Sequence, residues 1–275
     1  MSETDRTAGL FPALLKHWRG KSGLSQLDLA LAAGVSSRHI SFLETGRSLP
    51  SAEMVLRLAA TLDVPLRQTN AMLRAADHAA IYPEPQPGDS LPPQITSAVD
   101  LLKAHHEPFP LIVMDRSYNV LDANAGASVL LTSLLPSDQI IALDGLNLAR
   151  FTFDPDGGYR VIENFTEVGR ELLWRMQREV LAEPDQGPLR QLLDEVLSMD
   201  TIAPDWRHSD PTAPSAPTVE IRLRVGRQTW SFTLLITALQ APLTVALDEL
   251  RIEMWFPADD LTAEGCRELA RGSAH

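Results

Sequence analysis

Residues 24–50, LSQLDLALAAGVSSRHISFLETGRSLP, constrain this chain more tightly than any other stretch. They read as two short helices joined by a glycine turn. Ser25 stands where the first helix needs a cap, and Asp28 three residues on completes a variant of the capping box. Leu29 and Ala30 fall on the inner face, and Gly34 supplies the backbone freedom of a tight turn. Val35 re-enters the core, Ser36 caps the second helix, and Ile40 with Leu43 forms its apolar side at i, i+3 spacing. Ser37, Arg38 and Ser41 are left facing outward, with His39 and Phe42 beside them. This is the layout of a helix-turn-helix whose second helix reads a DNA groove.

The order L-S-Q, L-A, G-V-S, I, E-T-G-R, P-S, within about residues 9–76, resembles the Cro/cI-type (XRE) helix-turn-helix family. The resemblance implies a five-helix DNA-binding domain and a phosphate contact from Gln26 at the start of the first motif helix. The DNA-facing set is Gln26, Ser36, Ser37, Arg38, His39, Ser41, Phe42 and Arg47. A phosphate contact positions the protein without reading sequence. Ser37 and Arg38 occupy the first turn of the reading helix, where base edges are met, and Arg38 suits a bidentate grip on guanine. Phe42 suits a thymine methyl and internal packing equally. In the same family the residues at Arg19 and Glu44 pair inside the domain, so both are assigned to structure.

A chain of 275 residues exceeds one DNA-binding module and suits two domains. Its net charge of −12 argues against indiscriminate binding to nucleic acid, but the charge is unevenly spread. Residues 1–80 carry nine Lys/Arg against seven Asp/Glu, and the remainder fifteen against twenty-nine. A mildly basic head on an acidic body docks on DNA through one face only. Cys266, the only cysteine, supports neither a disulfide framework nor a Cys-based zinc site. The segment MSETDRTAGL lacks a signal pattern and no apolar run reaches a membrane span. A cytoplasmic protein with no membrane partner is expected.

Three domain-level segments follow: a DNA-binding domain over 1–81, a Pro-rich linker over 82–93 and a second domain over 94–275. Phe11, Leu14, Leu15 and Trp18 share one face of a first helix near 10–19. Further helices begin after Ser51 and at Pro65, giving five in all. The linker YPEPQPGDSLPP holds five prolines and a glycine, a stiff and partly extended composition. Beyond it, a helix near 94–105 precedes strands at Leu111–Met114 and Asn119–Ala123, separated by a polar turn, and then a helix capped by Asn124. Longer helices are expected over Glu163–Leu181 and Pro188–Met199. Strands over Thr218–Val225, Gln228–Ala238 and about Leu247–Phe256 close the chain. Residues 219–225 alternate cleanly, so one sheet face is wet and the other packs inward under the helices.

A strand, a polar turn, a strand and an Asn-capped helix resemble the opening of a PAS domain. The closing LDELRIEMWFPADDLT, with RHISFLETGRSLPS and MVLRLAATLDVPLRQTNAMLRAA, resembles the MmyB-like transcription regulators. That resemblance implies a PAS-like α+β domain with a five-stranded antiparallel sheet, fused to the DNA-binding head and accommodating fatty acids. The apolar supply for such a ligand is Val113, Phe232, Leu234, Ile236, Met254 and Phe256 on the sheet. Leu130, Leu134, Leu172, Leu173 and Met176 stand on the helices that cover it. Each of these equally suits a solid core. A ligand carboxylate needs a cation, and Arg175, Arg178 and Arg251 are unranked candidates.

Nothing in the sequence carries catalysis. His105 and His106 are adjacent, so their rings diverge on a helix and share no metal. Asp154/Asp156 and Asp259-Asp260 read as a turn and a helix start. G-x-S-x-G, H-E-x-x-H and P-loop patterns are absent. The expected protein is therefore not an enzyme and carries no metal or catalytic cofactor. It is a regulator that binds a double-stranded operator, as a homodimer, under control of a medium- to long-chain fatty acid or similar apolar molecule. In the alternative reading, the second domain is a solid dimerisation or protein-docking module with no small-molecule ligand.

Overall fold

The computed structural model describes residues 10–84, 93–134, 145–181, 187–207, 219–238 and 244–272. Most of the expected linker, 85–92, and Thr218 at the start of an expected strand lie outside the described residues. Contacts divide the chain into two compact units, Met1–Asp89 with Gln240–Asp248, and Ser90–Leu239 with Glu249–His275.

Among the described residues 10–84, the first unit has five helices, α1 (Leu10–Lys21), α2 (Gln26–Ala33), α3 (Ser37–Glu44), α4 (Ala52–Thr61) and α5 (Leu66–Ala75). Local chemistry sets most of their ends. Ser25 and Asp28 form the full capping box of α2, and Gly34 ends that helix at φ 66°. Ser36 and Ser51 each accept a backbone N–H at the start of α3 and α4. Phe11, Leu14, Leu15 and Trp18 of α1 pack with Leu29, Ile40, Leu43, Val55, Leu58, Met72 and Leu73 in one core.

Helix α5 begins differently. Pro65 offers no side-chain cap, and the N–H of Leu66 instead donates to Asp248 Oδ2 at 2.9 Å. Asp248 ends a single helical turn, Val245–Asp248, whose Val245 N–H donates to the Pro83 carbonyl. Buried Asn70 binds the backbone of Ile81 and Tyr82 on the other side. The turn at Val245–Asp248 corrects the expectation of a strand starting at Leu247. Val245 and Leu247 are both buried, and a short apolar run does not reveal by itself whether it is strand or helix.

The second unit opens with α6 (Pro93–His106), then β1 (Leu111–Met114), β2 (Val120–Ala123) and α7 (Ala125–Ser133). Short helices α8 (Leu148–Phe153) and α9 (Gly158–Val161) precede the long α10 (Phe165–Leu181) and α11 (Pro188–Leu197). Strands β3 (Val219–Val225), β4 (Gln228–Ala238) and β5 (Arg251–Pro257) follow, with α12 (Asp260–Gly272) last. The sheet is antiparallel throughout, in the order β2-β1-β5-β4-β3, which is the expected five-stranded α+β arrangement. Asn124 caps α7, and Asp259 accepts the Thr262 N–H at the start of α12.

The sheet does not have one uniformly wet face. On β3, Glu220, Arg222 and Arg224 do face solvent. At the centre, Leu111, Val113, Ile252 and partly buried Met254 pack with Val99 and Ile95 of α6, while Ile112, Phe232 and Trp255 face the larger core under α7–α11. Central strands are thus buried on both faces, and the alternation seen on the edge strand does not extend to them.

Candidate DNA-reading helix and ligand cavity

Helix α3 presents Ser37 and Arg38 to solvent, with Arg47 exposed in the turn beyond. The Arg38 guanidinium lies 5.2 Å from the Phe42 ring centroid and that of Arg47 lies at 5.9 Å. Phe42 thereby organises two cations on one face, a stacking that limits their freedom before any ligand arrives. Ser36 uses its hydroxyl as the α3 cap, accepting the His39 N–H at 3.2 Å. The backbone carbonyl of Ser41 accepts from Thr45, and His39 is half-buried.

Arg19 and Glu44 form a two-bond pair, Nε to Oε1 at 2.6 Å and Nη2 to Oε2 at 3.1 Å. Gln26 joins them: its amide N–H donates to Glu44 Oε2 at 2.7 Å. Burial alone would raise the Glu44 carboxyl, but the bonds from Arg19 and Gln26 outweigh it and hold the group below its ordinary value. Gln26 therefore belongs in part to the tie between α1, α2 and α3. One amide hydrogen goes to Glu44, and a phosphate can claim only the other.

The second unit holds a cavity of about 320 Å³ between the inner sheet face and helices α7–α10. That is the lower end of the range for small-molecule sites. Val168, Leu172 and Arg175 line it from α10 at helical spacing. Leu131 comes from α7 and Leu134 from its C-cap, Leu148, Phe151 and Thr152 from α8, and Val161 and Ile162 from the end of α9. Val219, Ile221 and Leu223 of β3, Leu234 and Ile236 of β4, and Glu253 and Trp255 of β5 complete the wall with Tyr118.

Among the residues expected at the ligand, the cavity takes Leu134, Leu172, Arg175, Leu234 and Ile236. Leu130, Leu173, Met176 and Phe232 are buried in the surrounding core without lining it, and Arg178 is not on the wall. Val113, Met254 and Phe256 lie on the opposite sheet face. Successive strand residues alternate faces, so Glu253 and Trp255 look inward while their neighbours look outward. Phe256 is 40% exposed and meets His106 edge-on. Sequence reasoning missed the other thirteen wall residues, Tyr118 and Glu253 among them. The inward assignment of Ile221 and Leu223 carries across the sheet once strand pairing is known, and it selects Glu253 by register.

Tyr118, Arg175 and Glu253 supply most of the polar wall. Tyr118 donates its hydroxyl proton to Glu179 at 3.2 Å, and the Arg175 guanidinium lies 6.0 Å from its ring centroid. Buried Glu253 accepts the Trp255 indole N–H at 2.7 Å. Its neighbours across the ladder are Ile112 and Ile236. Burial pushes the carboxyls of Glu253 and Glu179 up, and Arg175 opposes the rise in both. The buried Nε of Arg175 has no hydrogen-bond partner among the described residues.

A helical DNA-binding head joined to an α+β ligand-binding unit defines a class of transcription regulator. Residues 15–68 match a helix-turn-helix family model, and residues 95–269 match the MmyB-like transcription regulator ligand binding domain. The chain belongs to this MmyB-like family. No curated protein matches it. A solved structure described as an RNA-binding Light-Oxygen-Voltage receptor aligns at 14% identity with a TM-score of 0.25. It covers 100% of this chain, which spans only 64% of that one. Among the described residues, no helix is long and apolar enough to cross a membrane.

Proposed function

We propose that this regulator binds a fatty acid or a similar long apolar molecule in its second unit, and that occupancy changes how its head binds a double-stranded operator. One observation carries the reading. Between the inner sheet face and α10 lies a walled, largely apolar cavity whose charged wall residues are Arg175 and Glu253. A module serving only as a docking surface would be expected to fill that space, since interiors pack at crystal density. Each buried methylene contributes about 0.8 kcal/mol, so affinity should climb with chain length until the cavity is full.

The strands bearing Ile236 and Glu253 are joined by the segment that contains the Val245–Asp248 turn. That turn caps α5 of the head, so a shift of β4 and β5 on ligand binding has a covalent route to it. A ligand acts only through a difference in affinity between two arrangements. We further propose a homodimer, because one reading helix spans few base pairs and a pair of them reads a two-fold operator.

The test is calorimetry with a series of saturated fatty acids, repeated on Leu172→Trp. Binding that strengthens with length and vanishes in the variant supports the reading. Binding indifferent to length, or none at any length, rules out an alkyl pocket. Sedimentation of the full chain with and without a palindromic operator decides the dimer.

A further inference from the structure

The charged end of the cavity is balanced before any ligand enters it. Arg175 faces Glu253 and Glu179, Glu179 also feels Arg251 and Arg116, and Arg116 pairs with Glu249 at 3.6 Å. Arg175 and Glu253, the two charged residues on the wall, thus offset each other beside Tyr118. Adding a carboxylate leaves one uncompensated negative charge in a region largely closed to water, which is strongly unfavourable. Two features of the wall show how a head group is still accommodated. Arg175 offers a buried N–H that needs an acceptor. Glu253 reaches the cavity from mid-sheet, with the Trp255 indole on Oε1 and isoleucines on both flanking strands.

Resting on the fatty-acid reading above, we infer that the site takes its ligand's head group as an acceptor at Arg175 and a donor at Glu253, so that a carboxylate enters only together with one proton. The acid and Glu253 then share that proton across one hydrogen bond, and no bond between heavy atoms is made or broken. Neutral heads that both donate and accept, such as an alcohol or a primary amide, satisfy the same pair with no proton uptake. A permanent anion satisfies Arg175 but opposes Glu253.

The other groups around Glu253 leave the idea testable. Tyr118 titrates far above neutrality because it is buried. His106, whose Nε2 meets the Trp255 carbonyl at 3.1 Å, is held below its ordinary value by burial, so it is neutral above pH 7. Glu179 bonds Tyr118 and does not line the cavity.

The full-length protein is titrated by calorimetry with decanoate, decanol and decyl sulfonate below their micelle concentrations, in buffers of different ionisation enthalpy from pH 7 to 9. Decanoate should take up about one proton per molecule bound and lose affinity about tenfold per pH unit. Decanol should bind with no proton uptake, and decyl sulfonate about tenfold or more weakly than decanoate at pH 7. Glu253→Gln should bind decanoate with a flat pH profile, since its amide donates without a proton from solution. Zero proton uptake by the wild type, or sulfonate binding as well as decanoate, overturns the inference and leaves the apolar-ligand reading intact. Failure of all three compounds to bind overturns both.

Discussion

Each unit encloses an arginine–glutamate arrangement, and the two are built to different ends. In the head, Arg19 and Glu44 meet through two bonds, Gln26 takes a further lone pair of the carboxylate, and Arg19 also donates to the Leu24 carbonyl at 2.8 Å. Both side chains are enclosed, at 17% and 4% exposure. In the second unit Arg175 and Glu253 stand at a cavity wall, and a buried N–H of Arg175 has no partner among the described residues. A saturated buried pair locks a fold, whereas an unsaturated one beside empty space keeps a donor free for a further acceptor. Saturation, not the presence of charge, separates the two roles.

The sharpest way to break this contrast is to remove one partner from the saturated pair. Glu44→Ala leaves Arg19 and the Gln26 amide without their acceptor. It should destabilise the head by about 3 kcal/mol, the low end for a broken buried pair, because Arg19 keeps some contact with solvent. Hydrogen exchange of the α1–α3 backbone amides in the full chain, across a denaturant series, measures it. The pH dependence has a fixed sign. Glu44 sits below its ordinary value when folded, so its contribution is complete above about pH 4.3 and is lost as pH falls through the lower folded value. A variant as stable as the wild type at pH 7 would remove the structural role.

Glu253 gives the opposite slope. Its folded carboxyl lies above the ordinary value, so its favourable contribution is complete below about pH 4.3 and disappears as pH rises through the folded value. Glu253→Gln should therefore gain stability relative to the wild type between acid and neutral pH, by about 1 kcal/mol or more. Unfolding of the second unit at pH 4 and pH 7, compared between the two proteins, reads the difference. A constant gap at both pH values would mean that the cavity carboxylate is as well compensated as Glu44.

What the sequence revealed follows the same division between local and long-range chemistry. Caps at Ser25, Ser36 and Asn124 are written within three residues of the groups they bind, and all three form as read, while the helix starts read at Ser51 and Asp259 turn out to be capped by those side chains as well. The head's core was equally legible, because one helical face decides it. The cavity was not. Glu253 and Met254 differ only in strand parity, and parity depends on pairing with β1 and β4, which are far away in sequence. Core and wall separate only in three dimensions, so Leu172 lines the cavity while Leu173 beside it is solid core.

The outward face of α3 tests the rule where no burial is involved. Arg38 stacks on Phe42 and projects into solvent, so its unsaturated donors are available to a base edge. Arg38→Ala should reduce preference at one operator position by about 1 kcal/mol or somewhat more. Gln26→Ala should weaken all operators alike while also loosening Glu44. Competition binding over a library of single-base operator variants distinguishes the two, and uniform loss from Arg38→Ala would assign it to phosphate.

The smallest effect belongs to Asp248, which supplies by tertiary contact what Ser25, Ser36 and Ser51 supply locally. Helix α5 starts at Pro65 with no side chain to receive its first N–H groups, and Asp248 accepts that of Leu66. Removing a cap of this kind costs about 1 kcal/mol, and a carboxylate at a helix N-terminus adds a favourable term against the dipole. Asp248→Asn keeps the acceptor and loses the charge, so it should give up about half as much as Asp248→Ala. If the turn also relays occupancy to the head, the difference in operator affinity with and without decanoate should shrink in Asp248→Ala, with decanoate affinity itself unchanged. Loss of stability with full retention of that difference would leave Asp248 a cap and nothing more, and the relay would have to run elsewhere.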